Sequence, residues 1–379
     1  MLSQKKAIVQ TQSELGSIYI RMDKNEYTPG DQVSGTVLLS LLSNFQSNIV
    51  WLTIAGSEQT KLSEYPSGNT GSVKEADDIN IILNQKQAVH TFSSAFIPAG
   101  QYSFPFTFVL PSGVPSSFDY TFKEKERDCF ARVTYEIMAS LEMPSAQSTG
   151  IATILNLHIF HPVYSSPDTS SQQISRSINS CGIISKGRLN LTSRFERAEY
   201  LPGESAIMLT DVDNSKCSAQ INSITSVLTQ HLTLQAKGIT KTVVNTIGKF
   251  SEGGVNPGEE RVDSNALKMS IPLVQSDKSK GPLQPTCSGR LVNNEYRLVS
   301  TIHLNACLCC QSMPTTRISL TMRNPTQSPP LWKEQPQAWT PQIFPPAQLQ
   351  LVSQASAATS VAGSFDGMEG SPKMPLMAE

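Results

Sequence analysis

No stretch of this 379-residue chain approaches the roughly 18 apolar residues of a membrane-crossing helix; the strongest run, Ile49 to Ile54, is the length of a strand. The opening residues, MLSQKKAIVQTQSELG, lack the apolar core of about 7–15 residues that a secretory signal carries, so none is expected. Charge of one sign is also missing: 30 Lys and Arg against 31 Asp and Glu leave a net charge of -1. A nucleic-acid binder needs a basic face to displace counterions from phosphates, and a polybasic anchor needs a basic excess; neither is expected. The charged fraction is 16%, below the roughly 25% of an average globular protein. Much of the polar surface is therefore Ser, Thr, Asn and Gln, which suits sandwiches and loops better than amphipathic helices. The 7 Cys are odd in number and lack the spacing of a disulfide framework, which points to reduced thiols in a cytoplasmic protein. No long segment has helical periodicity, and 24 Pro are spread along the chain, where each would break a helix.

What is present is punctuated as β structure, with short apolar runs bounded by Pro, Gly, Asn and Ser. Strands are expected at Ile18 to Ile20, Val33 to Leu42, Ile49 to Ala55, Phe104 to Leu110, Arg132 to Leu141 and Ile151 to Phe160. In the fifth, Val133, Tyr135, Ile137, Ala139 and Leu141 share one face. An internal repeat then organises the chain. Glu26-Tyr27-Thr28-Pro29-Gly30-Asp31 returns as Glu199-Tyr200-Leu201-Pro202-Gly203-Glu204, each copy preceding an extended run. Pro-Gly supplies a fixed φ and then a permissive one, as a tight turn needs. A second echo pairs Tyr135 to Leu141 with Tyr296 to Ile302. Two echoes in the same order imply two copies of one β-sandwich.

The expected organisation is therefore a first sandwich over 15–163, a Ser-rich linker over 164–186, a second sandwich over 187–323, and a tail over 324–379. The tail holds 9 of the 24 Pro, only 6 charged residues and no apolar periodicity. It is expected to be disordered, since it cannot bury enough surface to offset the ordering entropy.

No catalytic constellation is present: no G-x-S-x-G elbow, no phosphate-cradling Gly loop and no dinucleotide fingerprint. No enzymatic activity, cofactor or metal is expected. His158 and His161 lie on a strand and its exit, where i and i+3 point to opposite faces, so they do not form a metal pair. Cys307, Cys309 and Cys310 cluster in a hairpin turn. They leave three readings open: structural thiols, reversible acylation or redox sensing, and a zinc site completed by Cys287 and His303. Lys123, Lys125, Arg127 and Arg132 could recognise an anion, but Glu124, Glu126 and Asp128 interleave with them and make a charge-balanced loop the better reading.

Taken together, these residues resemble the arrestin family, and more its α-arrestin (arrestin-domain-containing) branch. The likeness rests on Tyr27 to Gly35, on Pro98 to Phe118 with Arg132-Val133-Thr134-Tyr135-Glu136 following, and on Tyr200 to Glu204. It spans about residues 15–323, and the 98–136 segment is its most distinctive part. The resemblance implies an all-β protein of two tandem seven-stranded immunoglobulin-like sandwiches without enzymatic activity. It implies a cytoplasmic adaptor or scaffold linking membrane cargo, such as receptors or transporters, to endocytic sorting or ubiquitination machinery. Association with the plasma membrane or endosomes would come through that cargo, and a monomer is expected.

The chain departs from the family pattern in three places. Pro329-Pro330-Leu331-Trp332 has Trp where the ligase-docking Pro-Pro-x-Tyr motif has Tyr. Ile151 to Val163 contains no Arg, and Thr28-Pro29 supplies no acid, for a phosphate-triggered polar core. Leu349-Gln-Leu-Val-Ser353 lacks the closing acid of a clathrin motif. Candidate protein-binding residues are Lys123, Lys125, Arg127, Cys307, Cys309, Cys310 and Trp332, near the sandwich tips and in the tail. The alternatives are a structural subunit of a retromer-like endosomal coat and a thiol-dependent regulator resembling thioredoxin-interacting protein, acting through one of Cys217, Cys287, Cys307, Cys309 or Cys310.

Overall fold

The computed structural model describes residues 12–24, 26–65, 72–143, 150–160, 170–275, 282–308, 311–323 and 339–351. Among them the only helical turn is a 3-10 turn at Asp263–Asn265. In the first half, β1 (Gly16–Met22), β2 (Gln32–Leu41) and β5 (Gly100–Val109) form one antiparallel sheet in that order. The facing sheet runs β8 (Ile151–Ile159), β7 (Arg127–Leu141), β3 (Ile49–Glu64), β4 (Lys74–Thr91), and β6 (Phe118–Glu124) also pairs with β7. Val37, Leu39, Phe104 and Phe106 of the first sheet pack against Leu52, Ile54, Val133 and Ile137 of the second in one core. The alternation read along β7 is observed, with Val133, Tyr135, Ile137, Ala139 and Leu141 all buried. Each large apolar side chain so placed contributes about 1.5–3 kcal/mol of burial.

The second half repeats the plan. One sheet is β9 (Ser171–Ser180), β10 (Ile184–Phe195), β11 (Ser205–Asp213) with β14 (Leu267–Pro272) on β11. The other is β16 (Thr315–Met322), β15 (Val292–Leu304), β12 (Ile221–Ala236), β13 (Ile239–Glu252). Eight strands longer than two residues thus build each sandwich, against the seven implied.

The internal repeat is duplicated down to its hydrogen bonds. Glu26–Tyr27 lies parallel to the end of β8, and Glu199–Tyr200 lies parallel to the end of β16. Asp31 Oδ2 accepts the Thr28 N–H at 2.9 Å, and Glu204 Oε2 accepts the Leu201 N–H at 2.9 Å. Those bonds hold both carboxyls below the ordinary carboxylate range. Gly30 and Gly203 take φ of 87° and 90°, a region a side chain disfavours. The second echo is equally literal. Tyr135 and Tyr296, both buried, donate their hydroxyls to Pro115 O at 2.7 Å and Gln284 O at 2.6 Å.

Two segments differ from the sequence reading. Within the Ser-rich stretch read as linker, residues 171–180 form β9, paired with β10 along its length. An edge strand needs only one apolar face, and Ile174 and Ile178 supply it. Within the tail read as disordered, residues 339–351 are extended and lie on the first sandwich, with Gln342–Ile343 and Ala347–Gln348 running parallel to β5.

Candidate protein-interaction site

β5 is built from the most distinctive stretch of the sequence, and its far side from β2 would be an open sheet edge. Such an edge offers unpaired N–H and C=O groups to any extended chain. Here the chain's own tail takes that place. Phe344 N–H donates to Ser103 O at 3.0 Å and Leu349 N–H to Thr107 O at 2.8 Å. Pro345 and Pro346 fall between the two short ladders, at residues that have no N–H to donate. Phe344 enters an aromatic pocket, stacked on Phe104 at 5.0 Å and tilted against His90 at 4.1 Å, with Phe92 edge-on at 5.6 Å. Burial in this pocket lowers the basicity of His90. Leu349 is buried in the first core. Gln87 Oε1 accepts the Gln350 N–H at 3.2 Å, while its Nε2 donates to Gln350 O. Backbone pairing supplies affinity and the two side-chain positions supply selection, which is the logic of peptide recognition by strand addition.

The two sandwiches share a junction with its own chemistry. Glu58 of β3 is 1% exposed. Its Oε1 accepts the Arg290 N–H at 2.9 Å and its Oε2 the Leu291 N–H at 2.5 Å. Two residues on, Thr60 Oγ1 donates to Gln235 O at 2.6 Å. Leu232, Leu234, Ala236, Leu291 and Val292 of the second half join the first core. Cys287 is fully buried there, beside Ser116 O, and burial raises its thiol far above the ordinary range. At the duplicated corners, Arg323 Nε donates to Glu26 Oε1 at 3.1 Å, its NH1 lies 3.5 Å from Glu199 Oε2, and its guanidinium covers the Phe160 ring. One arginine therefore bridges the equivalent glutamates of the two copies. Sequence reasoning found those glutamates but missed Glu58, whose surroundings read as ordinary strand alternation.

The structure puts the described residues among those singled out from sequence in two places. Lys123, Lys125 and Arg127 sit on the β6–β7 hairpin. Lys123 is 3.8 Å from Asp128, Lys125 lies 4.0 Å over the Tyr65 ring, and Arg127 pairs with Glu75. Lys241 of β13 reaches the same hairpin and pairs with Glu124. The cations are thus individually partnered rather than pooled into one field. Cys307 is exposed at the distal end of the second sandwich; Cys309, Cys310, Trp332 and His161 lie outside the described residues. Among the described residues, no group of three or more His, Cys, Asp or Glu could hold a metal, and no helix is long and apolar enough to cross a membrane.

The family model for the arrestin (or S-antigen) N-terminal domain matches residues 16–156, and the model for the C-terminal domain matches residues 185–326. Curated relatives include arrestin domain-containing protein A of Dictyostelium discoideum, 22% identical over 74% of this chain and 47% of its own length. Arrestin domain-containing protein 4 of Mus musculus is 23% identical over 69% of this chain and 62% of its own length. Arrestin domain-containing protein 5 of Homo sapiens is 26% identical over 73% of this chain and 79% of its own length. The chain thus spans about half to three-fifths of the length of the first two relatives.

Proposed function

The chain belongs to the arrestin family, and on that premise we propose that it is a non-enzymatic adaptor that holds extended segments of membrane cargo, such as receptors or transporters, for endocytic sorting or ubiquitination. The observation that carries this reading is the tail segment 342–349 on the edge of β5. An edge that binds one extended chain in parallel, with an aromatic pocket and an aliphatic seat five residues on, has the equipment to bind another. The Glu58 junction supports the same reading, because it holds the two sandwiches as one platform. The adaptor works as a cytoplasmic monomer, and cargo brings it to the plasma membrane or endosomes. With Trp332 in place of the motif tyrosine, any ubiquitin ligase is recruited through another protein.

A quantitative pull-down from cell lysate tests this. The full chain is compared with Phe344→Ser/Leu349→Ser, which empties both seats on the β5 edge. Membrane cargo or sorting proteins retained by the full chain, and enriched several-fold by the double variant, are the expected result. Retention of no trafficking protein by either chain would overturn the adaptor reading, though not the fold.

A further inference from the structure

The core of the second sandwich is divided in a way the adaptor reading does not use. A layer of hydroxyls crosses it: Ser193 and Thr210 from one sheet meet Ser226, Ser300 and Thr316 from the other, none of them more than 1% exposed. Ser193 Oγ and Thr316 Oγ1 share a hydrogen bond of 2.8 Å, and Ser226 Oγ and Ser300 Oγ one of 2.7 Å. Thr210 Oγ1 has no partner among the described residues. Hydroxyls that bond each other gain little over the water they leave, and they bury little apolar area. On the distal side of this layer Leu189, Leu191, Val212, Ile224 and Ile302 form a small core of their own. On the near side Met208, Leu228, Leu298 and Ile318 belong to a separate one. The distal end is therefore joined to the rest of the sandwich by its weakest layer, and local opening is expected to start there.

Beyond that small core the two sheets meet again, at two cysteines. Cys181 opens the turn between β9 and β10, and Cys307 lies between β15 and β16, so they belong to opposite sheets. Both are exposed. The Cys181 N–H donates to Cys307 O at 2.7 Å. With standard backbone dimensions that bond keeps their Cα atoms within about 6.6 Å, under the ceiling of about 6.8 Å for disulfide-linked residues. Asn179 N–H to Gln311 Oε1 at 3.1 Å and Arg176 to Ser312 Oγ at 3.0 Å hold the same turn against the 305–313 loop. Cys181 also takes φ of 51°, in the left-handed region where Gly or Asn is at ease. The backbone of this turn therefore gives no reason for a cysteine, and such outliers concentrate where a side chain has a function.

We propose that Cys181 and Cys307 form a reversible disulfide, made by exchange with a small-molecule disulfide such as glutathione disulfide, that clamps the distal end of the second sandwich. One cysteine thiolate attacks a sulfur of glutathione disulfide, forming a mixed disulfide and releasing one glutathione thiolate. The other cysteine thiolate attacks the protein-side sulfur of that bond, closing the Cys181–Cys307 bond and releasing the second glutathione. Two protein thiols are oxidised, one glutathione disulfide is reduced, and the two protons pass to the released thiolates. The buried Cys129, Cys217 and Cys287 are out of reach of the reagent. The closed ring holds roughly 125 residues, nearly the whole second sandwich, and the constraint a disulfide places on the unfolded chain grows with ring size. In a reducing compartment such a bond is transient and answers an oxidising challenge.

The test uses the full chain, equilibrated with glutathione disulfide or with dithiothreitol, blocked with iodoacetamide, digested with trypsin and mapped by mass spectrometry. In the oxidised sample alone, wild type is expected to yield the peptide of residues 177–186 bridged to that of residues 298–317. Cys309 and Cys310 share the second peptide, so the bridge should persist in Cys309→Ser/Cys310→Ser and vanish in Cys307→Ser. No bridge in wild type, or a bridge that survives Cys307→Ser, would overturn the proposal. Hydrogen exchange supplies a second arm. Oxidation should slow exchange at Leu189, Leu191 and Ile302 by at least about tenfold, while Leu228 and Leu298, across the hydroxyl layer, stay within about twofold. Cys181→Ser should abolish the difference between the two redox states. Equal exchange in both states, or slowing shared equally by the two sides of the layer, would refute the clamp. Neither arm depends on the β5 edge, so failure here and failure of the adaptor reading are distinguishable.

Discussion

Replacing Glu58 with alanine should loosen the two sandwiches from each other. The carboxylate is buried, and both its oxygens accept backbone N–H groups of the 290–291 segment. A hydrogen bond to a charged group contributes about 1.5–3 kcal/mol, and a stranded buried donor costs about 1–3 kcal/mol. Arg290 is exposed and its amide can take water, whereas Leu291 is buried, so the expected loss is about 2–4 kcal/mol. At about 2–4 °C per kcal/mol for domains of this size, the melting temperature should fall by about 4–16 °C. Calorimetry of the full chain should also show the transition broaden or split as the halves uncouple. Glu58→Gln keeps one acceptor oxygen and turns an NH2 toward the other amide, so an intermediate loss is expected. Gly289 gives an independent handle, because a Cβ there would overlap Glu58 Oε1. Gly289→Ala should therefore be costly in wild type and much less so once Glu58 is alanine, a coupling of at least about 1 kcal/mol in a double-mutant cycle. Additive effects, or a shift of less than about 1 °C for Glu58→Ala, would refute the assigned role of this carboxylate.

Three further predictions follow from the same geometry. Arg323 is partly exposed, so Arg323→Ala should cost only about 0.5–1 kcal/mol, and high salt should erase the difference in denaturant midpoint. Tyr135→Phe should cost about 1–2 kcal/mol. Tyr296→Phe should cost less, since Gln284 O keeps a second donor in Asn294 at 3.3 Å; paired urea melts compare them. Burial holds His90 below its ordinary pKa near 6.5, so the docked tail favours neutral imidazole. That contribution is complete above pH 6.5 and is lost as pH falls through the depressed value, and the hydrogen-exchange protection factors at Phe344 and Leu349, taken against the intrinsic rate at each pH, should fall accordingly.

The parts of this molecule legible in its sequence are those where one residue type answers one backbone demand. The two Pro-Gly corners and the two alternating strands with buried tyrosines are of this kind, and they carried both the duplication and the family. What escaped is polar. Lys74–Thr91 and Ile239–Glu252 are long outer strands with few buried side chains, so their periodicity carries little apolar contrast. Ser171–Ser180 reads as linker because serine is as compatible with an edge strand as with a loop. The tail segment looked unable to fold because it buries its surface against β5 rather than against itself. Glu58 gave no local signal because its partners lie more than two hundred residues away.

The central claim, that the β5 edge is a recognition site for extended segments, is tested most directly by titrating a synthetic peptide of residues 339–351 into two full-length proteins, followed calorimetrically. The account predicts binding to Phe344→Ser/Leu349→Ser, whose own tail no longer fills the pocket, and little or none to wild type, whose edge is occupied. It also predicts that the same peptide carrying serine at 344 and 349 does not bind. A double variant that folds as wild type yet ignores the native peptide would contradict the claim.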